Sequence, residues 1–116
     1  MTVITRRFRL RGVHFLYDLK HDEPKHGHEY ELQVSIKTDI PRSALEEIVK
    51  TEILEKWDKK DFMTKGISQA SGEILVEEFD KALRTSELRN SLVAVVLKET
   101  RKNRFISSES QLSCCD

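Results

Sequence analysis

Cysteine is scarce in this chain and is confined to one place. Only two of the 116 residues are cysteine, and Cys114 and Cys115 are adjacent near the end of a polar stretch. Adjacent cysteines rarely pair with each other, and two thiols cannot form the disulfide framework of a small secreted domain. The sequence therefore predicts two surface thiols, and a metal-binding or catalytic role would require this end to fold back onto a site.

An excess of charge of one sign and long apolar runs are also lacking. Charged residues make up 34% of the chain, yet they balance to a formal net charge of zero. This balance argues against nucleic acid or a membrane surface as an electrostatic partner. No apolar run is long enough to span a bilayer, and the N-terminus has no signal-peptide pattern. We expect a cytoplasmic protein with one domain over residues 1–107 and a flexible tail over residues 108–116.

Histidine is absent from most of the chain and concentrated in one short stretch. The four histidines are His14, His21, His26 and His28, and none follows in the rest of the sequence. Imidazole binds metal ions and transfers protons near neutral pH. This cluster is therefore the strongest indication of function in the sequence.

Alternating apolar and polar residues predict two strands around the histidines. In the first run, Thr2–Tyr17, even positions are largely apolar and odd positions are largely charged up to Arg11. Arg6 is an exception, because it lies on the apolar side. The second run is Glu29–Thr38, and a polar, proline-containing loop over Asp18–Lys25 separates the two.

Three histidines are in phase with the apolar sides of these strands. His14 follows the first apolar parity, and His26 and His28 continue the second one backwards. An antiparallel pair would therefore bring three imidazoles together. Three histidines with an open position are typical of catalytic zinc. The alternative is one buried histidine with satisfied hydrogen bonds and two on the surface.

The remaining periodicities predict two helices followed by two strands. Residues at helical spacing indicate a first helix from Pro41 to Trp57 or Asp58, and a second that Ser71 caps. Their expected apolar stripes are Leu45, Ile48, Val49, Ile53 and Trp57, then Ile74, Leu75, Phe79, Ala82 and Leu83. A polar connection (Lys59–Gln69) and two strands (Leu92–Thr100 and Arg104–Ser107) complete the order. This order predicts an α+β fold, β-β-α-α-β-β, with an antiparallel sheet and both helices on one face.

A carboxylate ends the predicted strand near the C-terminus. Glu99 has the same parity as Val93, Val95 and Leu97. It lies either at the water-exposed edge of the sheet or in a pocket, where it would accept two parallel N–H bonds from a guanidine-like group. Both interpretations stay open from the pattern alone.

Taken in order, these features resemble one enzyme family, the 6-pyruvoyl-tetrahydropterin and 6-carboxy-tetrahydropterin synthases. The shared features are His14 in an apolar first strand, His26-Gly27-His28 opening the second, Ser71-Gly72-Glu73 at a helix start, and Val96-Leu97-Lys98-Glu99-Thr100 near the end. The resemblance covers about residues 5–107, and the helices match only by pattern.

The resemblance implies a fold, an assembly and a chemistry. It implies a tunnelling fold (T-fold), in which trimers close into a barrel and two trimers form a homo-hexamer. It implies Zn²⁺ held by His14, His26 and His28, and a pterin substrate bound by Glu99 and Glu73. The substrate it implies is 7,8-dihydroneopterin triphosphate, and the reaction is that of a carbon–oxygen lyase.

Two positions depart from the family pattern. Asp22, between His21 and Glu23, occupies the place of the catalytic cysteine. The aspartate expected after the first helix is present as Asp58, but Lys59 replaces the histidine that follows it. Aspartate is a weak base unless its pKa is raised, and lysine is a poor proton shuttle unless its pKa is lowered. The alternative interpretation of Asp58 and Lys59 is that they are charged, solvated residues at the end of the helix with no catalytic role.

These departures leave three alternatives to the lyase. The first is an enzyme that cleaves the side chain to give 6-hydroxymethyl-dihydropterin, with Asp22 or Glu23 as the replacement base. The second is a non-catalytic homologue that binds a pterin or a purine-like ring. The third is a structural α+β domain whose histidines are incidental.

Overall fold

A five-stranded sheet with helices packed on one face organises the chain. The computed structural model describes residues 2–14, 26–37, 40–58, 60–61, 72–99 and 103–111, of which 12–14, 26–28 and 60–61 are described by their backbone. The elements are β1 (Val3–His14), β2 (His26–Lys37), α1 (Arg42–Val49), a π-helical segment (Lys50–Leu54), α2 (Glu55–Trp57), β3 (Lys60–Asp61), α3 (Gly72–Arg84), β4 (Leu92–Glu99) and β5 (Asn103–Ile106).

The four longer strands form an antiparallel meander in space. The strand order is β3-β1-β2-β4-β5, and only the short β3 runs parallel to its neighbour. β1 and β2 pair without a register shift from Val3 opposite Lys37 to His14 opposite His26. The predicted α+β class, with an antiparallel sheet and two helices, is confirmed.

The core lies between the inner face of the sheet and the helices. Its buried apolar residues include Leu10, Tyr30, Leu32, Val34, Ile36, Val95 and Leu97 from the strands, and Leu45, Val49, Ile53, Leu75, Val76, Phe79 and Leu83 from the helices. Trp57 and Phe79 meet edge to face with ring centroids 5.4 Å apart, which ties α2 to α3. No helix in the described ranges is long and apolar enough to cross a bilayer.

Two features of the helices depart from the predicted stripes. Ile74 is 43% exposed, and the neighbouring Val76 is buried instead. The buried side of α3 follows Leu75, Val76, Phe79 and Leu83, and Ile74 falls outside that arc. In the first helix, Val49, Ile53 and Trp57 are four residues apart, a spacing that drifts around a regular α-helix of 3.6 residues per turn. The wider turn of the π-helical segment offsets this drift.

The strands also contain two features that the sequence analysis missed. The predicted connection Lys59–Gln69 contains β3, whose two residues pair with Gly12 and Val13 at the edge of β1. In β4, Ser35 pairs with Ala94 whereas Ile36 pairs with Leu92, so Val93 is the extra residue of a β-bulge. The bulge places Leu92 opposite Ile36, where it is only 7% exposed.

The chain after β5 is tied back to α3 and β4. Ser107 Oγ donates to the Asp80 carboxylate, and the Ser108 backbone N–H donates to Glu77 Oε1. The Val95 N–H donates to Ser110 Oγ at 2.9 Å, and the Gln111 N–H donates to the Val93 carbonyl oxygen at 2.7 Å. Contacts therefore continue to Gln111, past the domain end predicted at residue 107. Cys114 and Cys115 lie outside the described residues.

A close approach fixes the start of α3 against β5. A Cβ placed on Gly72 would lie 2.1 Å from Cε2 of Phe105, well inside van der Waals contact. A side chain at position 72 would displace the Phe105 ring, so the glycine at this helix start has a packing reason.

Replacing Gly72 with alanine is expected to lower the free energy of unfolding by about 1–3 kcal/mol, because the methyl group overpacks Phe105. Alanine normally stabilises a helix relative to glycine by up to about 1 kcal/mol. Urea denaturation of Gly72→Ala, Phe105→Leu and the double variant measures the coupling. In the double variant, the smaller side chain at position 105 should recover part of the loss. A stabilised Gly72→Ala would contradict the packing interpretation.

Candidate metal and substrate site

The pairing of β1 with β2 aligns the three histidine positions. His14 lies directly opposite His26, and Gly12 lies opposite His28. Residues that face each other across an antiparallel pair share one side of the sheet, with Cβ atoms about 4.5–5.5 Å apart. By strand alternation, positions 14, 26 and 28 lie on the same side as the buried Leu10 and Tyr30. Glycine at position 12 adds no side chain to this side.

The pairing of β2 with β4 places Glu99 on the same side, next to the histidine positions. Glu99 is half-buried and lies opposite Tyr30, which is two residues after His28. Tyr30 is 1% exposed, and burial raises the pKa of its phenol, with a further rise from the negative charge of Glu99. The phenol is therefore a neutral hydroxyl at neutral pH. The sequence left Glu99 either at the water-exposed edge of the sheet or in a pocket. In the structure Glu99 is half-buried and lies beside the buried ring of Tyr30.

Tyr30 is a residue of this site that the sequence analysis treated only as part of an apolar face. The signal was present in its parity, because it is the next residue after His28 on that side of β2. Its hydroxyl distinguishes it from Leu32, Val34 and Ile36, which follow with the same parity. A phenol between a histidine pair and a carboxylate is a polar group in an otherwise apolar row.

Asp58 lies at the outer edge of β1, close to the same end of the sheet. The chain becomes extended at Asp58, directly after α2, and Asp58 Oδ1 accepts a hydrogen bond of 2.8 Å from the Arg11 backbone N–H. Arg11 precedes Gly12, the partner of His28. The carboxylate therefore satisfies a strand donor that the short β3 does not reach, in addition to any chemical role.

The other predicted site residues are distributed as follows. Glu73 is exposed in the first turn of α3, whose start packs against Phe105. Phe105 is opposite Leu97, and the next pair on this side of the sheet is Glu99 with Asn103. His21, Asp22, Glu23 and Lys59 lie outside the described residues. Among the side chains that the structure describes, which exclude positions 14, 26 and 28, no three of His, Cys, Asp or Glu group as metal ligands.

The opposite face of the sheet carries a ladder of exposed ion pairs. Arg7 and Lys98 each lie 3.9 Å from Glu31, and Arg9 lies 3.6 Å from Glu29. Exposed pairs of this kind contribute about 0–1 kcal/mol each. Their main effect is on register, because a one-residue slip would bury these charges in the core and expose the apolar row. The same register holds the histidine positions together.

A cleft of about 740 Å³ lies at the other end of the molecule. It is lined by the outer side of α1 and the π-helical segment and by the turn after α3, and its charged residues include Glu47, Glu52, Glu87 and Arg89. The nearby Ser91 carbonyl oxygen accepts from the Lys37 N–H, and Lys37 is at the end of β2 farthest from His26. This cleft is therefore separate from the histidine positions.

Comparison with known proteins identifies the architecture. No protein-family model and no curated protein matches the chain. Among solved structures, 6-pyruvoyl tetrahydropterin synthase from Caenorhabditis elegans superposes with a TM-score of 0.70. The match covers 90% of this chain and 93% of that chain.

The chain has the tunnelling fold. The two sequences are 17% identical over the match, so the similarity establishes the fold. The nearly complete coverage of both chains means that the sheet, both helices and their order belong to one shared architecture. The resemblance drawn from the histidine, Ser-Gly-Glu and Lys-Glu-Thr motifs is confirmed at this level.

Proposed function

We propose that this tunnelling-fold protein is a zinc-dependent lyase acting on 7,8-dihydroneopterin triphosphate or a closely related pterin. The observation that carries the proposal is the register of β1, β2 and β4. It aligns His14, His26 and His28 with Glu99 on one side and at one end of the sheet. The fold of a tetrahydropterin synthase supports the same assignment.

The three histidine positions fit a zinc ion by their chemistry. His14, His26 and His28 offer neutral imidazole nitrogens, which suit a borderline metal, and three protein ligands leave a position open for substrate. Gly12, which pairs opposite His28, adds no side chain of its own beside that position. When bound, zinc acts as a Lewis acid toward hydroxyl groups of the pterin side chain.

Glu99 and Tyr30 would recognise the ring. The Glu99 carboxylate accepts two parallel N–H bonds from the amino-pyrimidine edge of a pterin, a charge-assisted and directional contact. Tyr30 is paired opposite Glu99 and is buried, so its neutral phenol keeps the surroundings of the carboxylate partly apolar. Glu73, at the exposed start of α3, would contact the substrate from the side of β5.

Proton transfer would fall to other residues in place of the missing cysteine. Asp22, Glu23 and His21 lie between the histidine-bearing strands in the sequence, and any of them is a candidate base. Asp58 is anchored to the Arg11 N–H near the same end of β1. With Lys59 next to it rather than histidine, Asp58 would position and polarise groups rather than form an Asp–His proton relay.

A site on one face and edge of a single sheet needs residues from other segments or subunits to enclose a substrate. We propose that copies of the chain assemble, as a homo-hexamer of two trimers, and complete the site between subunits. In the described part of the chain, β3 pairs with β1 only at Gly12 and Val13, so the rest of that edge faces no neighbouring strand. A cytoplasmic location and a place in folate, biopterin or queuosine-type synthesis belong to the same proposal.

A non-catalytic pterin or purine binder is the second candidate. The observation that favours it is the hydrogen bond from the Arg11 N–H to Asp58, which gives that carboxylate a structural partner. Together with Asp22 at the cysteine position, this leaves the acid–base machinery altered while Glu99 and the histidines remain. Retained binding without turnover would support this candidate.

Incubation of the zinc-loaded protein with dihydroneopterin triphosphate, with products identified by mass, tests the function. The lyase predicts loss of triphosphate and a 6-pyruvoyl or 6-carboxy product, whereas the side-chain-cleaving alternative predicts 6-hydroxymethyl-dihydropterin. Asp22→Ala should lose turnover and keep ligand binding if this loop supplies the base. No turnover of any pterin by the unmutated protein would contradict the enzyme.

Replacing Glu99 with glutamine is expected to weaken pterin binding by about tenfold or more, because a charge-assisted pair becomes a neutral one. Zinc content should not change. The matched control is Glu29→Gln, next to Tyr30 but on the opposite face and paired with Arg9, and it should bind pterin normally. Ligand titration by fluorescence gives both affinities. Equal affinities for the two variants would exclude Glu99 as the anchor.

A further inference from the structure

Arg6 is a charged residue on the inner, apolar parity of β1. It lies opposite the buried Val34, and its Nε atom is buried without a hydrogen-bond partner among the described residues. An unsatisfied buried polar atom costs about 1–3 kcal/mol, and more when the group is charged. Such an atom in a native protein is commonly explained by a bound ion or water.

Arg6 borders a cleft of about 440 Å³ between the edge of β1 and the start of α1. The cleft is lined by Thr5, Arg6, Arg7, Phe8, Arg42 and Glu46. The Arg7 side chain lies on the opposite face of the strand, 3.9 Å from Glu31, so the charges of the cleft come from Arg6, Arg42 and Glu46, with a formal excess of one positive charge. The Arg42 Nε donates to Glu46 Oε1 at 3.0 Å, so Arg42 is partly neutralised, whereas Arg6 lies opposite the apolar Val34 and forms no ion pair with a carboxylate among the described residues.

The start of α1 adds to the positive potential of this cleft. Pro41 precedes the helix and provides no side-chain cap, and the first turn contains no acidic residue. The first backbone N–H groups of a helix carry a partial positive charge and attract anions. The N-terminus of α1 and the arginines therefore both favour the binding of an anion in this cleft.

We propose that this cleft binds a phosphate-like oxyanion, either free or as the phosphate group of a small metabolite. The planar guanidinium donors of Arg6 and Arg42 match the tetrahedral oxygens of phosphate. The cleft is separate from the histidine positions. Arg6 precedes His14 by eight residues of extended strand, roughly 26 Å at about 3.3 Å per residue.

Phosphate titration of the full-length protein by calorimetry, at constant ionic strength, tests the proposal. Arg6→Gln should weaken binding by about tenfold or more, since it removes charged donors. Glu46→Gln should tighten binding on the order of two- to fivefold, because it removes a competing carboxylate and frees Arg42. The control Arg9→Gln lies on the opposite face of the same strand and should leave the affinity unchanged.

Circular dichroism of each variant establishes that it is folded. The substitution at Glu46, whose side chain is 49% exposed, provides a test that does not alter the core. Parallel titrations with inorganic phosphate and glycerol 3-phosphate show whether free phosphate or the phosphate group of a small metabolite binds more tightly. Arg6→Gln should weaken the binding of both ligands. Wild-type affinity in Arg6→Gln, an equal loss in Arg9→Gln, or no tightening in Glu46→Gln would overturn the proposal.

Discussion

Replacing His28 with alanine is expected to reduce zinc affinity by more than about a hundredfold and to abolish turnover. Loss of a residue that only supports a ligand already costs about 10–100-fold in metal affinity, so loss of a ligand should cost at least as much. His28 is expected to be a ligand because it shares a side of the sheet with the directly opposed His14 and His26. Competition titration with a chromophoric chelator measures the affinity.

His21→Ala is the matched control for this prediction. It removes the remaining histidine of the chain, which lies between the two strands in the sequence rather than at a position of the proposed tripod. Its zinc affinity should stay close to that of the unmutated protein, whereas turnover falls if His21 takes part in proton transfer. Equal losses of zinc affinity in the two variants would show that the strand register does not define the metal ligands.

The second large effect concerns Asp80, a carboxylate buried at 2% exposure on the inner side of α3. Arg84 Nε donates to its Oδ1 at 2.6 Å, and Ser107 Oγ donates to its Oδ2. Asp80→Ala leaves Arg84 and Ser107 without this acceptor and removes one of the contacts that tie the chain after β5 to α3. We expect the free energy of unfolding to fall by about 2–4 kcal/mol, less than for a fully buried ion pair because Arg84 is 26% exposed.

Urea denaturation at neutral pH measures this loss, and two variants bracket it. Asp80→Asn keeps a carbonyl acceptor for one donor and should destabilise less than alanine. Glu77→Ala removes an exposed carboxylate of the same helix, which contacts Ser108 after β5, and it should cost under about 1 kcal/mol. An Asp80→Ala variant no less stable than Glu77→Ala would contradict the role of Asp80 as an anchor for residues 107–111.

The sequence predicts the histidine alignment because strand parity is a local property. His14 is in phase with Leu10, and His28 is in phase with Tyr30, so pairing of the two strands puts them on one side whatever else the chain does. The charged opposite face fixes that parity independently. Local periodicity also suffices for the existence of the helices, since their buried stripes need only the 3.6-residue repeat.

Contacts between segments that are distant in the chain could not be predicted from the sequence. The position of Glu99 opposite Tyr30 depends on the register of β2 with β4, which the bulge at Val93 shifts. The Asp58 to Arg11 hydrogen bond joins residues 47 positions apart, and β3 is too short to have a period. Asp80 lies on a stripe that would be apolar in an ideal helix, and only its partners Arg84 and Ser107 explain it.

The metal centre is most directly tested by measuring zinc content together with zinc X-ray absorption on the full-length protein. The account predicts one zinc per chain, with three imidazole nitrogen ligands and no sulfur ligand. The absorption spectrum separates nitrogen from sulfur, which matters because Cys114 and Cys115 are the thiols that the chain offers. Absence of zinc at saturating concentration, or a sulfur-ligated ion, would contradict a metal site built by His14, His26 and His28.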